Sequence, residues 1–123
     1  MIMAQSLASS FKCAAAGIVH ACKTQRNFKI ELGFAGAAIV LGVVFAIDAA
    51  KWATIAVCIG AVLAGECVNT AMESVVDLVS PEYHELAKHA KDCAAGAVLV
   101  MSLASLAVAA FIFLPSMIGL FMR

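Results

Sequence analysis

The stretch from Trp52 to Val79, WATIAVCIGAVLAGECVNTAMESVVDLV, places Glu66, Asn69, Thr70, Glu73 and Asp77 at helical spacing inside an otherwise almost wholly apolar run. At about 100° per residue these five side chains fall within an arc of roughly 100°, while Val57, Leu63 and Val75 lie on the remaining circumference. The spacing therefore predicts a membrane helix with carboxylates along one face. A charge at membrane depth is costly unless it is paired, hydrated or bound to a cation, so ionisable residues there are functional candidates.

Composition supports the membrane reading. Of 123 residues, 64% are hydrophobic and 13% charged, and the mean hydropathy is +1.03, far more apolar than a soluble domain of this size can cover with polar surface. The uncharged run Cys93 to Met122 exceeds the roughly 20 helical residues that cross a hydrocarbon core. The chain reads as a single all-α membrane domain, residues 1–123, with transmembrane helices at about 29–47, 52–72 and 93–114. A stripe of Leu7, Phe11, Ala14, Ala15 and Ile18, opposed by Gln5, Ser9, Lys12, His20 and Lys23, predicts an amphipathic surface helix at about 4–24.

Six of the eight basic residues, Lys12, Lys23, Arg26, Lys29, Lys88 and Lys91, lie before the first span or between the second and third. Excess Lys and Arg favour the cytoplasmic side, which predicts a cytoplasmic amino terminus, a cytoplasmic loop at about 77–92 and an external carboxyl terminus. No signal peptide is expected, since the basic residues follow the first apolar stretch. The link Asp48 to Lys51 predicts a tight hairpin with Trp52 as an interfacial anchor. Ser80 and Pro81 read as an end followed by a fresh start, with Ser80 as cap, Pro81 at the first helical position and Glu82 complementing the amino-terminal dipole of a new helix, and Pro115 predicts a kink or a stop. Cys13, Cys22, Cys58, Cys67 and Cys93 lack C-x-x-C spacing and read as small packing residues rather than a zinc site or disulfides.

Glu66 and Glu73 stand about 10.5 Å apart along a helix, too far for one tight dyad. The deeper carboxylate suits a general base and the one nearer water an oxygen ligand for a divalent cation. Asp77 suits either a basic partner or a helix cap. The segment Glu82 to Asp92 mixes Glu82, Tyr83, His84, Glu85, Lys88, His89, Lys91 and Asp92. Its bland reading is a solvated loop, and its proximity to the carboxylate face makes it a candidate for phosphate and cation contacts. No P-loop and no G-x-G-x-x-G motif occurs, and the basic residues lack the aromatic interleaving of a nucleic-acid platform.

The run Glu66 to Val100, ECVNTAMESVVDLVSPEYHELAKHAKDCAAGAVLV, closely resembles the small integral-membrane lipid kinases of bacteria, the diacylglycerol kinase and undecaprenol kinase family. The carriers are E-x-x-N-(T/S)-A-x-E-x-x-V-D, P-E-(Y/F)-H and A-K-D, with SFKCAAAG at Ser10 to Gly17 and RNFKIE at Arg26 to Glu31 also similar. The wording after Asp77 looks more like the undecaprenol kinases of Gram-positive bacteria. The resemblance implies transfer of the γ-phosphoryl group of ATP, with Mg2+, to a lipid hydroxyl at the cytoplasmic face of the bacterial inner membrane. It also implies a homotrimer of three transmembrane helices and one surface helix per protomer, with active sites shared between protomers.

Carried onto this chain, Glu66 takes the catalytic-base position, Glu73 the magnesium position and Asn69 a supporting contact. Cys13, Gln25, Glu73, Glu82, Tyr83, His84, Lys91 and Asp92 take nucleotide positions, and Asn27, Lys29 and Glu31, with Glu66, border the lipid headgroup. Three departures stand out: Gln25 replaces a family glutamate that shares the magnesium with Glu73, Ser6 replaces an arginine and Cys13 a tyrosine. A degenerate homologue, a proton or cation pathway lined by Glu66 and Glu73, and a purely structural assembly are the competing readings. Clustering of the carboxylates toward one side, with none in Cys93 to Met122, favours the kinase over a pathway.

Overall fold

The computed structural model describes residues 6–123, and those residues are helical apart from short connections. The order is α1 (Leu7–Thr24), α2 (Arg26–Val44), α3 (Ala49–Val79) and α4 (Glu85–Phe121). Of the expected surface helix, residues 4 and 5, including Gln5, lie outside the described part. No strand occurs among the described residues, and α2, α3 and α4 are each long and apolar enough to cross a membrane. The protein is an all-α membrane protein.

Ser6 caps α1, its hydroxyl accepting from the Ser9 amide at 3.2 Å. At the other end a single residue separates α1 from α2: Gln25, with φ −104° and ψ 118°, is extended and turns the chain between the two helices. The first long helix thus begins at Arg26 rather than near residue 29, with its polar turns continuous with the apolar part. On α1 only Ala21 is buried, and Leu7, Phe11 and Ile18 project away from the other helices.

The α2–α3 hairpin turns earlier than its sequence indicates. Phe45, Ala46, Ile47 and Asp48 form the link, Ala46 takes a positive φ of 48°, and Asp48 is a cap whose carboxylate accepts from the Lys51 amide at 3.0 Å. Asp48 therefore starts α3 instead of opening the connection. Trp52 then packs on buried Gly42, where an added Cβ would lie 2.6 Å from the indole Cη2. Gly42→Ala is accordingly expected to lower stability by about 1–3 kcal/mol, the usual cost of overpacking, as measured by denaturant unfolding of the detergent-solubilised protein.

Ser80 and Pro81 do not start the last helix. The residue before a proline is driven out of the helical region, and Ser80 (φ −134°, ψ 77°) instead terminates α3, its amide donating to the Val76 carbonyl. Its hydroxyl donates to the Glu82 carbonyl at 2.9 Å. His84 is the cap of α4, Nδ1 accepting from the Leu86 amide at 3.1 Å. Only Ser80 to His84 lie outside helices, where the sequence suggested a loop over about 77–92. Pro115 does not stop α4, which continues to Phe121.

The bundle is apolar at one end and polar at the other. Ile55, Ile112 and Phe113 form the buried apolar centre, with Leu41, Phe45 and Ile59 packed against it, and the Phe45 and Phe113 rings lie 6.4 Å apart. Toward the end of α3 and the start of α4 the buried residues change character to Glu66, Asn69 and Thr70.

Candidate functional site

Helix α3 supplies the column that defines the site. Glu66 is 1% exposed, the most deeply buried large side chain of the described residues. The Thr70 hydroxyl donates to the main-chain carbonyl of Glu66 at 2.8 Å, satisfying itself locally and leaving the Glu66 carboxylate uninvolved in that bond.

Two turns along, Glu73 is gripped by amides from both sides. Gln25 Nε2 donates to Oε2 at 3.1 Å, and Asn69 Nδ2 donates to Oε1 at 3.2 Å. The first bond joins residues 48 apart in sequence and is made possible by the one-residue corner at Gln25. Asn69 Oδ1 is buried without a hydrogen-bond partner among the described residues. A buried acceptor without a donor is uncommon and suits a site that takes a cation or a hydroxyl.

Beyond Glu73 the polar cluster continues across the α3–α4 turn. Asp77 accepts a hydrogen bond from Lys91, tying α3 to α4, and Lys88 pairs with Asp92 one turn along α4. Asp92 precedes the apolar run that begins at Cys93, and the hydrogen bond from Lys88 holds its carboxyl below the usual carboxylate range. Asp77, Glu82, Tyr83, His84, Lys91 and Asp92 border one shallow hollow. Of the two possibilities the sequence allowed for Asp77, the structure displays the basic partner.

Not every site residue drawn from the sequence converges. Asn27 and Lys29 are exposed on the first turn of α2. Cys13 is exposed on α1, about 18 Å of helix before Gln25. Among the described residues no three His, Cys, Asp or Glu side chains are grouped tightly enough to bind a metal by themselves. The side-chain amides of Gln25 and Asn69, whose nitrogens donate to Glu73, each also carry a carbonyl oxygen.

Sequence reasoning missed Ser102. Its hydroxyl donates to Glu31 Oε1 at 2.9 Å, joining α4 to α2 across 71 residues of sequence. The available signal was compositional: Ser102, Ser105 and Ser116 are the only hydroxyl side chains in the apolar run Cys93 to Met122.

A three-span helical bundle with a buried carboxylate column leading to a charged interhelical hollow defines a class of membrane protein with chemistry at one end of the bundle. The family described as prokaryotic diacylglycerol kinase matches residues 12–113, and the chain belongs to that family. It is 44% identical over 120 residues to a diacylglycerol kinase of Synechocystis sp., covering 96% of this chain and 68% of the relative. It is 39% identical over 108 residues to an undecaprenol kinase of Bacillus subtilis, covering 88% of each. A diacylglycerol kinase of Escherichia coli is 39% identical over 69 residues, 53% of this chain and 57% of the relative. The chain is thus a lipid kinase of the membrane.

Proposed function

We propose that this kinase transfers the γ-phosphoryl group of ATP to the hydroxyl of undecaprenol or diacylglycerol at the cytoplasmic face of the bacterial inner membrane. The observation that carries the reading is the arrangement of α3: Glu66 buried, and Glu73 two turns further along, hydrogen-bonded by Gln25 and Asn69. Helical rise puts Glu66 about 21 Å and Glu73 about 32 Å from Trp52. With Trp52 as an anchor at the opposite surface of a core about 30 Å thick, Glu73 reaches the water boundary while Glu66 stays within lipid reach. A lipid hydroxyl and a water-borne nucleotide meet between them.

In this mechanism Glu66 accepts the proton of the acceptor hydroxyl as its oxygen bonds to the γ-phosphorus and the bond to the ADP leaving group breaks. Phosphoryl transfer asks chiefly for alignment and charge neutralisation. Lys91, released from Asp77, neutralises phosphate oxygens, and Glu82, Tyr83, His84 and Asp92 border the nucleotide. The fit to Mg2+ is carried by the oxygen-rich surroundings of Glu73: Glu73 would hold the ion, with the carbonyl oxygens of Gln25 and Asn69 available beside it, the latter already an unpartnered acceptor. Magnesium bound there supplies charge neutralisation to the phosphates. Glu31 borders the lipid headgroup in this reading, while Asn27, Lys29 and Cys13, exposed and apart from the column, owe their substrate positions to the family resemblance alone.

The assembly in this reading is a homotrimer with shared sites, amino termini in the cytoplasm and carboxyl termini outside. The family resemblance and the basic-residue distribution support it. Lys91→Gln is expected to raise the KM for ATP by about tenfold and the KM for lipid much less, since one charge-assisted contact to phosphate is worth about 1.5–3 kcal/mol before competition from Asp77. Steady-state kinetics with each substrate varied in turn measures the split.

The defining experiment supplies purified protein in mixed micelles with ATP, Mg2+ and either diacylglycerol or undecaprenol, and follows phosphate into lipid. Phosphorylation of one alcohol in preference to the other names the acceptor. Silence with both, in protein shown to be folded, overturns the proposal and marks Gln25, Ser6 and Cys13 as signs of a degenerate member.

A further inference from the structure

The amino-terminal turns of α4 are held chiefly by polar contacts. From Glu85 to Ala97 no side chain of this helix is buried within the chain, the first being Val98, and even Leu86 is exposed. Three side-chain pairs act there: Glu85 with His89, Lys88 with Asp92, and Lys91 with Asp77 of α3. Their members are 40–77% exposed, and ion pairs in the open contribute little. The main local anchor is therefore His84. Its Nδ1 accepts from the Leu86 amide at 3.1 Å, and its carbonyl accepts from the Lys88 amide at 3.0 Å.

This cap is titratable, unlike the oxygens of Ser, Thr or Asn that usually serve. An imidazole nitrogen accepts only while it carries no proton, so the bond to Leu86 selects the neutral ring with its hydrogen on Nε2. A proton on Nδ1 turns the acceptor into a donor that faces a donor, and it sets a positive charge at the positive end of the helix dipole. Imidazole is the side chain whose charge changes between about pH 5 and 8. Around His84 the hollow gathers Asp77 from α3, Glu82 and Tyr83 from the link, and Lys88, Lys91 and Asp92 from α4. The two lysines take up Asp92 and Asp77, leaving Glu82 without an ion-pair partner among the described residues and able to draw a charged ring away from the helix end. Protonation of His89 has the opposite sign, since it strengthens the pair with Glu85 and tightens the same turn.

We propose that His84 is a positioning residue: its neutral imidazole caps α4 and so holds Lys88, Lys91 and Asp92 in place for the nucleotide, and its protonation uncaps the helix and weakens nucleotide binding. The identity of the ligand in the hollow rests on the kinase reading, in which His84 borders the nucleotide. The cap gives His84 a second task, performed on the backbone and acting through its neighbours.

Two quantities decide it, each measured on the full chain in detergent at about pH 8 and about pH 6. One is protection of the Lys88 amide from hydrogen exchange, corrected for its intrinsic rate. The other is the equilibrium Kd of the non-hydrolysable ATP analogue AMPPNP with Mg2+. In the parent, protection is expected to fall roughly fivefold at the lower pH, the usual effect of losing a side-chain cap. The Kd should rise by a similar factor beyond the pH dependence that the analogue itself brings to every variant. His84→Asn, whose side chain caps at both pH values, should keep the Lys88 protection at both, and His84→Ala should lack it at both. Neither variant should show the parent's extra pH dependence in Kd. In spectra of 15N-histidine protein at the higher pH, His84 should carry its hydrogen on Nε2. A parent Kd that falls on acidification relative to both variants would make the imidazolium a direct phosphate contact and overturn the proposal. Lys88 protection indifferent to pH and to His84→Ala would also overturn it. Neither measurement requires turnover, so the two readings fail separately: the expected pattern in a protein that phosphorylates no lipid removes the kinase, and lipid phosphorylation with indifferent protection removes the cap's role.

Discussion

Replacing Glu66 with Gln is expected to lower lipid phosphorylation by about 10²–10⁴-fold, the range for loss of a positioned general base. The substitution keeps the volume and shape of a side chain that is 1% exposed, and it removes a charge from the interior rather than adding one. Packing around α3 should therefore survive, and the variant should insert, purify and unfold much as the parent does. The loss should fall on kcat, with KM for ATP nearly unchanged, because Glu73 and the charged hollow by Lys91 are left in place. Near-normal turnover would remove Glu66 as the base. A parallel collapse of yield and unfolding midpoint would assign it a structural part instead. Glu66→Asp offers a further check: it restores the carboxylate but withdraws it by one methylene, so partial recovery of kcat is expected if proton acceptance is the role.

The carboxylate column was legible in the sequence because its signal is local and periodic: Glu66, Asn69, Thr70 and Glu73 stand on one face of α3 against an apolar background. Three membrane-spanning helices were legible for a similar reason, since length and hydropathy act within a single segment. The turns were less so. Asp48 and His84 act as caps through a side chain bonding a backbone amide two or three residues on, whereas Ser80 and Pro81 carry stronger conventional start signals and end a helix. Both behaviours are within the range of these residue types, and tertiary position decides between them. Pro115 shows the same limit, since a proline that would end a helix in water is carried within α4. Least legible were the contacts that cross the bundle. Nothing near Ser102 in sequence indicates Glu31, and the packing of both α2 and α4 on α3 brings them together. For Gln25 the residue type alone marked a departure from the family glutamate, while its one-residue corner between α1 and α2 is what delivers it to Glu73.

Glu73→Gln is expected to have the second large effect, and Gln25→Glu the opposite one. In the present chain the Glu73 carboxylate is the one formal negative charge in the Gln25–Asn69–Glu73 hydrogen-bonded group. A unit charge about 4 Å from another unit charge contributes about 4 kcal/mol at an effective dielectric of 20, and a divalent ion doubles that interaction. Phosphate oxygens and water recover much of the loss, so Glu73→Gln should raise the magnesium concentration needed for half-maximal turnover by about two orders of magnitude. Gln25→Glu would put a second carboxylate where an amide now donates to Glu73 at 3.1 Å. Without a cation the two carboxylates repel and the variant should unfold at lower denaturant; with magnesium the repulsion becomes shared ligation. The half-saturating magnesium concentration should fall by about tenfold, one carboxylate's worth discounted for solvent. The decisive measurement is a magnesium titration of turnover together with a magnesium titration of unfolding, on the parent and both variants. A carboxylate pair that gains both activity and stability with the ion identifies this group as its seat, whereas stability that ignores magnesium in Gln25→Glu would move the ion elsewhere and leave Glu73 as a hydrogen-bond anchor for the α1–α2 corner.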